Sequence, residues 1–273
     1  MTLTHDPRIG AERVTLGYGP RTVVDDVTLT LPTAATTAIV GANGCGKSTL
    51  LRGLARLLPP RSGTCLLDGH AVHRLPTREV ARVLGLLPQA PTAPDGITVV
   101  DLLGRGRQPH RGRLSRWSAG DDAAVAEALE LTGTVDLATR TVDELSGGQR
   151  QRVWVAMALA QQPAVLLLDE PTTYLDVAHQ VELLDLLATL QQTRGTTVVM
   201  VLHDLNLAAR YADHLVALRD GRVVAAGPPG EVVTEELVRE VFGLVARVVP
   251  DPVTGTPWVI PLSRRRQGAV TAC

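Results

Sequence analysis

Apolar and polar residues change rhythm several times along the chain, and each change marks an element. From Glu12 to Pro32 the segments ERVTLGYG and VVDDVTLTLP alternate between turn signals, which predicts antiparallel strands and a β-rich N-terminal layer. TTAIV follows as a short buried strand, then a glycine-rich loop, then LLRGLARLL at helical spacing. Ser62 to Gly69 (SGTCLLDG) reads as an edge strand, and GLLPQ as a strand ending at Gln89. Between about residues 90 and 160 strand signals fade, and DDAAVAEALELTG and GGQRQRVWVAMALA carry apolar residues at helical intervals, so a helical insertion is expected there. After Pro163 strand and helix alternate again. VLLLDE and TTVVMVLH predict strands, AHQVELLDLLATLQQ and LNLAARYAD predict helices, and the alternation predicts a parallel sheet. The tail from residue 263 to 273, SRRRQGAVTAC, is expected to be disordered, leaving one domain over 1–262.

Composition adds limits rather than a function. At 273 residues there is room for one large α/β domain with an inserted subdomain, and a net charge of -1 gives no general attraction to nucleic acid. Cys45, Cys65 and Cys273 lack metal-ligand spacing and suggest a reducing compartment. No stretch approaches the roughly 18 apolar residues of a membrane span, and MTLTHDPRIG has no secretion-signal core. Of 27 basic side chains, 26 are arginine, and Lys47 alone is lysine.

That lysine sits in Gly41-Ala42-Asn43-Gly44-Cys45-Gly46-Lys47-Ser48-Thr49, a G-x-x-x-x-G-K-[ST] pattern between a predicted strand and a predicted helix. Glycines let the backbone turn successive N–H groups toward phosphate oxygens, and the helix start adds its positive end. Lys47 would reach the β and γ phosphates and Ser48 would hold magnesium, while Cys45 is expected to contribute only its amide. A buried strand ending in Asp169 and Glu170 would deliver two carboxylates to the sheet edge, and alternation would point them different ways.

Leu145-Ser146-Gly147-Gly148-Gln149, followed by RQRVWVAMALAQQPAVLLLDEPT, resembles the signature and Walker B region of ATP-binding cassette (ABC) ATPases, and the likeness extends over nearly the whole chain. The resemblance implies an α/β P-loop NTPase core of RecA type with an N-terminal antiparallel β subdomain and an inserted α-helical subdomain. It implies ATP and Mg2+ as ligands, with Asp169 and Gln89 joining Ser48 around the metal, and Glu170 as general base toward the attacking water. Gln89 resembles the Q-loop residue and His203, ending TTVVMVLH, the switch histidine. Asp176 resembles the D-loop aspartate, although Tyr174 replaces the usual small residue. Tyr18 in LGYG resembles the aromatic that stacks on adenine. Ser146 and the amides of Gly147, Gly148 and Gln149 would face the γ-phosphate bound by a second copy of the chain, so that one active site needs two chains.

Three further segments, Thr98 to Gly112, Leu202 to Pro229 and Ala246 to Pro261, resemble ATPases of iron-siderophore importers. The implied protein is an ATP-hydrolysing importer subunit on the cytoplasmic face of the membrane, acting on permease subunits and indirectly with a substrate-binding protein, and touching neither nucleic acid nor cargo. Haem or cobalamin import remains an alternative, as does a soluble ABC ATPase acting on ribosomes or DNA. The latter would ordinarily carry two cassettes or a long coiled-coil insertion, and this chain has neither. Glu170 and His203 speak against a cassette that binds ATP without hydrolysing it. The basic run Arg105, Arg107, His110, Arg111, Arg113 and Arg116 is expected to be a solvated loop, and so are Arg264 to Arg266.

Overall fold

Alternation in the first thirty residues resolves into two paired strands, β1 (Ile9–Tyr18) and β2 (Arg21–Leu31), with Val14, Leu16, Val24, Val27 and Leu31 turned inward and buried. The computed structural model describes residues 8–111 and 116–262, so Arg113, Arg264 to Arg266, Cys273 and the tail from residue 263 lie outside the described residues. On the other side of β1 runs β4 (Ser62–Leu67), followed by the two-residue β5 (His70–Ala71), giving the antiparallel order β2-β1-β4-β5. The segment expected at the edge therefore lies one strand in, because the short β5 pairs with it.

The second sheet has six strands in the order β10-β9-β3-β8-β7-β6. Its strands are β3 (Thr36–Gly41), β6 (Leu84–Leu87), β7 (Val165–Asp169), β8 (Thr197–Val201), β9 (His214–Arg219) and β10 (Arg222–Gly227). Five are parallel, as the strand–helix alternation predicts, and β10 pairs antiparallel with β9 at one edge. Asp220-Gly221 makes that hairpin, both residues at positive φ as an Asp-Gly two-residue turn requires. Two strands stop earlier than expected. β6 ends two residues before Gln89 and β8 two before His203, which places both side chains on loops at the carboxyl edge of the sheet.

Helix α1 (Lys47–Leu54) lies between the two sheets, with Leu50, Leu51 and Leu54 buried against Leu16, Ile39 and Leu167. α2 (Thr77–Val83) precedes β6. On the opposite face of the large sheet, Ala38, Leu166, Leu168, Val198 and Met200 pack in one core with side chains of α5 (Gly147–Ala160) and α6 (Val177–Arg194). With helices on both faces, every residue of β7 and β8 is buried, which accounts for their unbroken apolar pattern.

Between β6 and β7 the chain forms the expected helical insertion from α3 (Val99–Gly106), α4 (Ala119–Leu131) and α5. Arg107 corrects the solvated reading of the basic run. It is buried, donating from Nε to Asp121 Oδ1 at 3.0 Å and from Nη1 to the Ala160 carbonyl at 2.8 Å, so it joins the end of α3 to the start of α4 and the end of α5. Arg105 and Arg116 are exposed, whereas His110 is half-buried with Nε2 at 2.8 Å from the Gln161 carbonyl.

After β8 come α7 (Leu205–Tyr211), α8 (Pro229–Val232), α9 (Glu235–Phe242) and a hairpin of β11 (Ala246–Pro250) and β12 (Pro257–Pro261). Asn206 of α7 binds both backbone groups of Val259, which docks the hairpin beside the loop carrying His203. No helix among the described residues is long and apolar enough to cross a membrane.

Candidate nucleotide-binding site

The carboxyl ends of β3, β7 and β8 converge with Gln89, two residues past β6, on one cleft, the position where open α/β sheets hold ligands. The cleft has a volume of about 330 Å³ and is lined by Asn43, Gly44, Gly46, Lys47, Ser48, Gln89, Glu170 and His203. Residues separated by more than 150 positions in the chain thus share one wall.

The loop between β3 and α1 is shaped by its glycines. Gly41 has φ 152°, and a Cβ there would stand 2.3 Å from the Leu218 carbonyl; Gly46 caps α1 at φ 110°, where a Cβ would come within 3.0 Å of the Val23 carbonyl. Lys47 is buried, and its Nζ donates to the carbonyls of Gly41 at 2.8 Å and Ala42 at 3.0 Å, which holds the ammonium over the loop. Thr49 is buried on α1. The Cys45 amide donates to the Ala42 carbonyl at 3.3 Å within the loop. The Cys45 carbonyl accepts from the Gly221 amide at 2.9 Å, and the Gly221 carbonyl accepts from Asp25 at 2.9 Å. Gly221 therefore ties the loop to β2. Its Asp-Gly dipeptide was the available sequence signal, although nothing local revealed what it would touch.

Asp169 and Glu170 diverge, although β7 ends at Asp169 and the turn at Glu170, not strand alternation, sets the second direction. Asp169 points inward and accepts from Ser48 Oγ at 2.8 Å. Burial pushes its carboxyl pKa up and adjacent Glu170 adds to this, while the Ser48 hydrogen bond, Arg52 and Lys47 act in the opposite direction. A hydroxyl and a carboxylate so close are hard oxygen donors of the kind magnesium takes, with phosphate and water completing its shell.

Glu170 stands just past β7 with φ 56°, a left-handed backbone that swings its side chain into the cleft. Its Oε1 lies 2.7 Å from His203 Nε2, and its Oε2 accepts from Gln89 Nε2 at 2.9 Å. Glu170, His203 and Gln89, which the resemblance marks as general base, switch histidine and Q-loop residue, are thereby brought together, Glu170 touching the other two.

Other candidates lie elsewhere. Tyr18, at the end of β1, is half exposed, and its hydroxyl accepts from Arg52 Nη1 of α1 at 3.2 Å. Ser146 caps α5, accepting from the Gln149 amide at 3.3 Å while Gln149 Oε1 accepts from the Ser146 amide at 3.1 Å. Neither Ser146 nor Gly147, Gly148 or Gln149 lines the cleft. They adjoin the loop before α6, since a Cβ on Gly147 would lie 3.8 Å from Tyr174 Cβ and one on Gly148 3.6 Å from Leu175 Cδ2. Asp176 caps α6, accepting from the His179 amide at 2.9 Å and contacting His179 Nδ1 at 2.8 Å; these bonds hold its carboxyl pKa below the usual range.

Residues 24–173, more than half of the chain, match the ABC transporter family. The ferric enterobactin transport ATP-binding protein of Escherichia coli (strain K12) is 52% identical over 257 residues, covering 94% of this chain and 95% of that one. The petrobactin import ATP-binding protein of Bacillus anthracis is 51% identical over 256 residues, covering 94% of each. Among solved structures, a dimeric ATP-binding cassette in a post-hydrolysis state bound to ADP and Pi superimposes with a TM-score of 0.72 at 27% identity, covering 81% of this chain and 98% of that one.

Proposed function

The chain belongs to the ABC transporter family, and we propose that it is the ATP-hydrolysing subunit of an importer for ferric siderophores, working at the cytoplasmic face through a membrane permease. The observation that carries the ATPase reading is the cleft, in which a phosphate-type loop, Lys47 and Ser48 face the Glu170–His203–Gln89 cluster. Iron-chelate cargo rests on the two relatives, each about half identical over nearly the full length.

Lys47 and the loop amides bind the β and γ phosphates. Ser48, Asp169 and Gln89 would hold magnesium, which would supply neutralisation of the phosphate charge. Glu170 accepts a proton from the attacking water, His203 and Gln89 keep its carboxylate turned to that water, and His203 contacts the γ-phosphate. Tyr18 stacks on adenine.

A second copy completes the site. Ser146 and the glycine amides sit at the start of the 14-residue helix α5, away from the cleft of their own chain, which supports a role toward the nucleotide of a partner across an interface bordered by Tyr174 and Asp176. The dimeric state of the related cassette supports this arrangement. Closure on ATP and reopening after hydrolysis then move the permease subunits, with the helical insertion in contact with them.

Phosphate release by the wild-type chain, compared with Glu170→Gln, tests the reading. Turnover that is lost in the variant supports it, and a wild type as inactive as the variant would exclude an ATPase.

A further inference from the structure

Arg61 lies immediately before β4, far in sequence from the β1–β2 turn, yet its guanidinium closes over that turn. Nη2 donates to the Gly19 carbonyl in a short hydrogen bond and to the Arg21 carbonyl at 3.0 Å. Nη1 donates to Thr22 Oγ1 at 3.1 Å and to the Pro20 carbonyl at 3.4 Å. The Arg61 amide donates to the Thr15 carbonyl at 2.8 Å, fixing the base of the side chain to β1. One planar cation thus gathers three successive carbonyls and a hydroxyl, which a fork of N–H groups can do and a single ammonium cannot. Gly17 makes room for it, because a Cβ there would stand 2.9 Å from the guanidinium carbon.

Strand pairing of Gly17 with Thr22 and Tyr18 with Arg21 closes the turn, and Arg61 adds a side-chain clamp over it. Gly19, at φ 50°, has no atom within 4 Å of a Cβ position, so no neighbour packs against that residue. Tyr18 is the last residue of β1, its ring is half exposed, and among the described residues its side-chain hydrogen bond comes from Arg52 at the hydroxyl end. The place of the ring follows the paired hairpin backbone, which Arg61 clamps from outside.

We propose that Arg61 is a positioning residue for nucleotide base recognition, clamping the β1–β2 turn so that the Tyr18 ring is presented to adenine. The proposal rests on the assignment of Tyr18 as the stacking residue. It separates base affinity from phosphate affinity, since Arg61 contacts neither the phosphate loop nor the cleft.

Equilibrium titration of the full chain with ATP and with inorganic tripolyphosphate reads the two affinities separately. Tyr18→Ala is expected to weaken ATP binding about tenfold, the loss of one ring face. Arg61→Ala is expected to weaken it about fivefold, with Arg61→Lys between that and wild type. Neither variant should alter tripolyphosphate affinity, and the double variant should bind ATP no worse than Tyr18→Ala alone, because both act through one ring. Wild-type ATP affinity in Arg61→Ala, an equal loss for both ligands, or additive losses in the double variant would each overturn the proposal. Failure of the Tyr18 assignment would show separately, as unchanged ATP affinity in Tyr18→Ala, and would remove the proposal with it.

Discussion

His203 Nε2 stands 2.7 Å from Glu170 Oε1, bringing the loop after β8 into contact with the carboxylate after β7. Gln89 holds the second oxygen from the loop after β6 at 2.9 Å. A carboxylate held from two sides has few orientations open to it, which is how a general base is kept aimed. His203→Ala should therefore lower steady-state phosphate release about 100-fold while ATP affinity, measured by titration, changes by less than about threefold.

Lys47 is held by two loop carbonyls at 2.8 and 3.0 Å, a point charge at the mouth of the loop. Lys47→Ala should weaken binding of both ATP and tripolyphosphate at least about tenfold. Lys47→Arg should not restore it, because a planar guanidinium is too broad for a cradle fitted to an ammonium. Unchanged affinity in Lys47→Ala would displace the phosphates from this loop.

Legibility followed sequence separation. Strand, loop and helix around Lys47 could be read directly, since glycine spacing and local periodicity specify them within a dozen residues. Gln89 and His203 were identified by resemblance, and only the sheet shows why a residue after β6 and one after β8 meet: their strands flank β7. The antiparallel edge strand β10 is not legible although Asp220-Gly221 marks its turn, because a turn signal does not say which sheet its strands join. Arg107 and Arg61 were invisible for the same reason in sharper form. An arginine in a polar run reads as solvated, and partners 14, 53 and 40 positions away become known only when the chain has folded.

Arg107 and Asp121 form a buried pair, with side chains 9% and 6% exposed. Asp121→Ala leaves the guanidinium buried without its carboxylate and should cost about 3 kcal/mol in denaturant unfolding. Hydrogen bonds from Ser118 and Arg107 depress the Asp121 pKa below its ordinary 3.8. A depressed carboxyl stabilises the fold fully above that ordinary value and loses the contribution as pH falls through the lower, folded-state one. Unfolding free energy should accordingly decline on the acid side of pH 3.8 more steeply in wild type than in Asp121→Asn.

Cys45, inside the phosphate loop, is buried, and burial raises its thiol pKa against the opposing charge of Lys47. Thiolate is the reactive form, so alkylation by N-ethylmaleimide at neutral pH should run at least about tenfold slower than for an exposed cysteine. Cys45→Ser should keep its ATPase activity, as the side chain is not among those lining the cleft. Mass spectrometry of the alkylated peptide, with activity followed in parallel, checks both.

If α5 of one copy completes the cleft of another, Ser146→Arg and Lys47→Ala should each abolish turnover alone. Mixed in equal amounts, they should recover up to about a quarter of wild-type activity, since in random pairing half of the dimers carry one intact composite site of two. Recovery to zero would indicate that each chain hydrolyses ATP within itself or that mixed dimers do not form, and cross-linking of differently tagged copies distinguishes these.

Uptake of radiolabelled ferric siderophore by cells lacking this chain, supplied with wild type or Glu170→Gln at equal protein levels, tests the whole account at once. Wild type should restore uptake and Glu170→Gln should not. Uptake restored by Glu170→Gln, or not restored by wild type while haem or cobalamin uptake is, would contradict it.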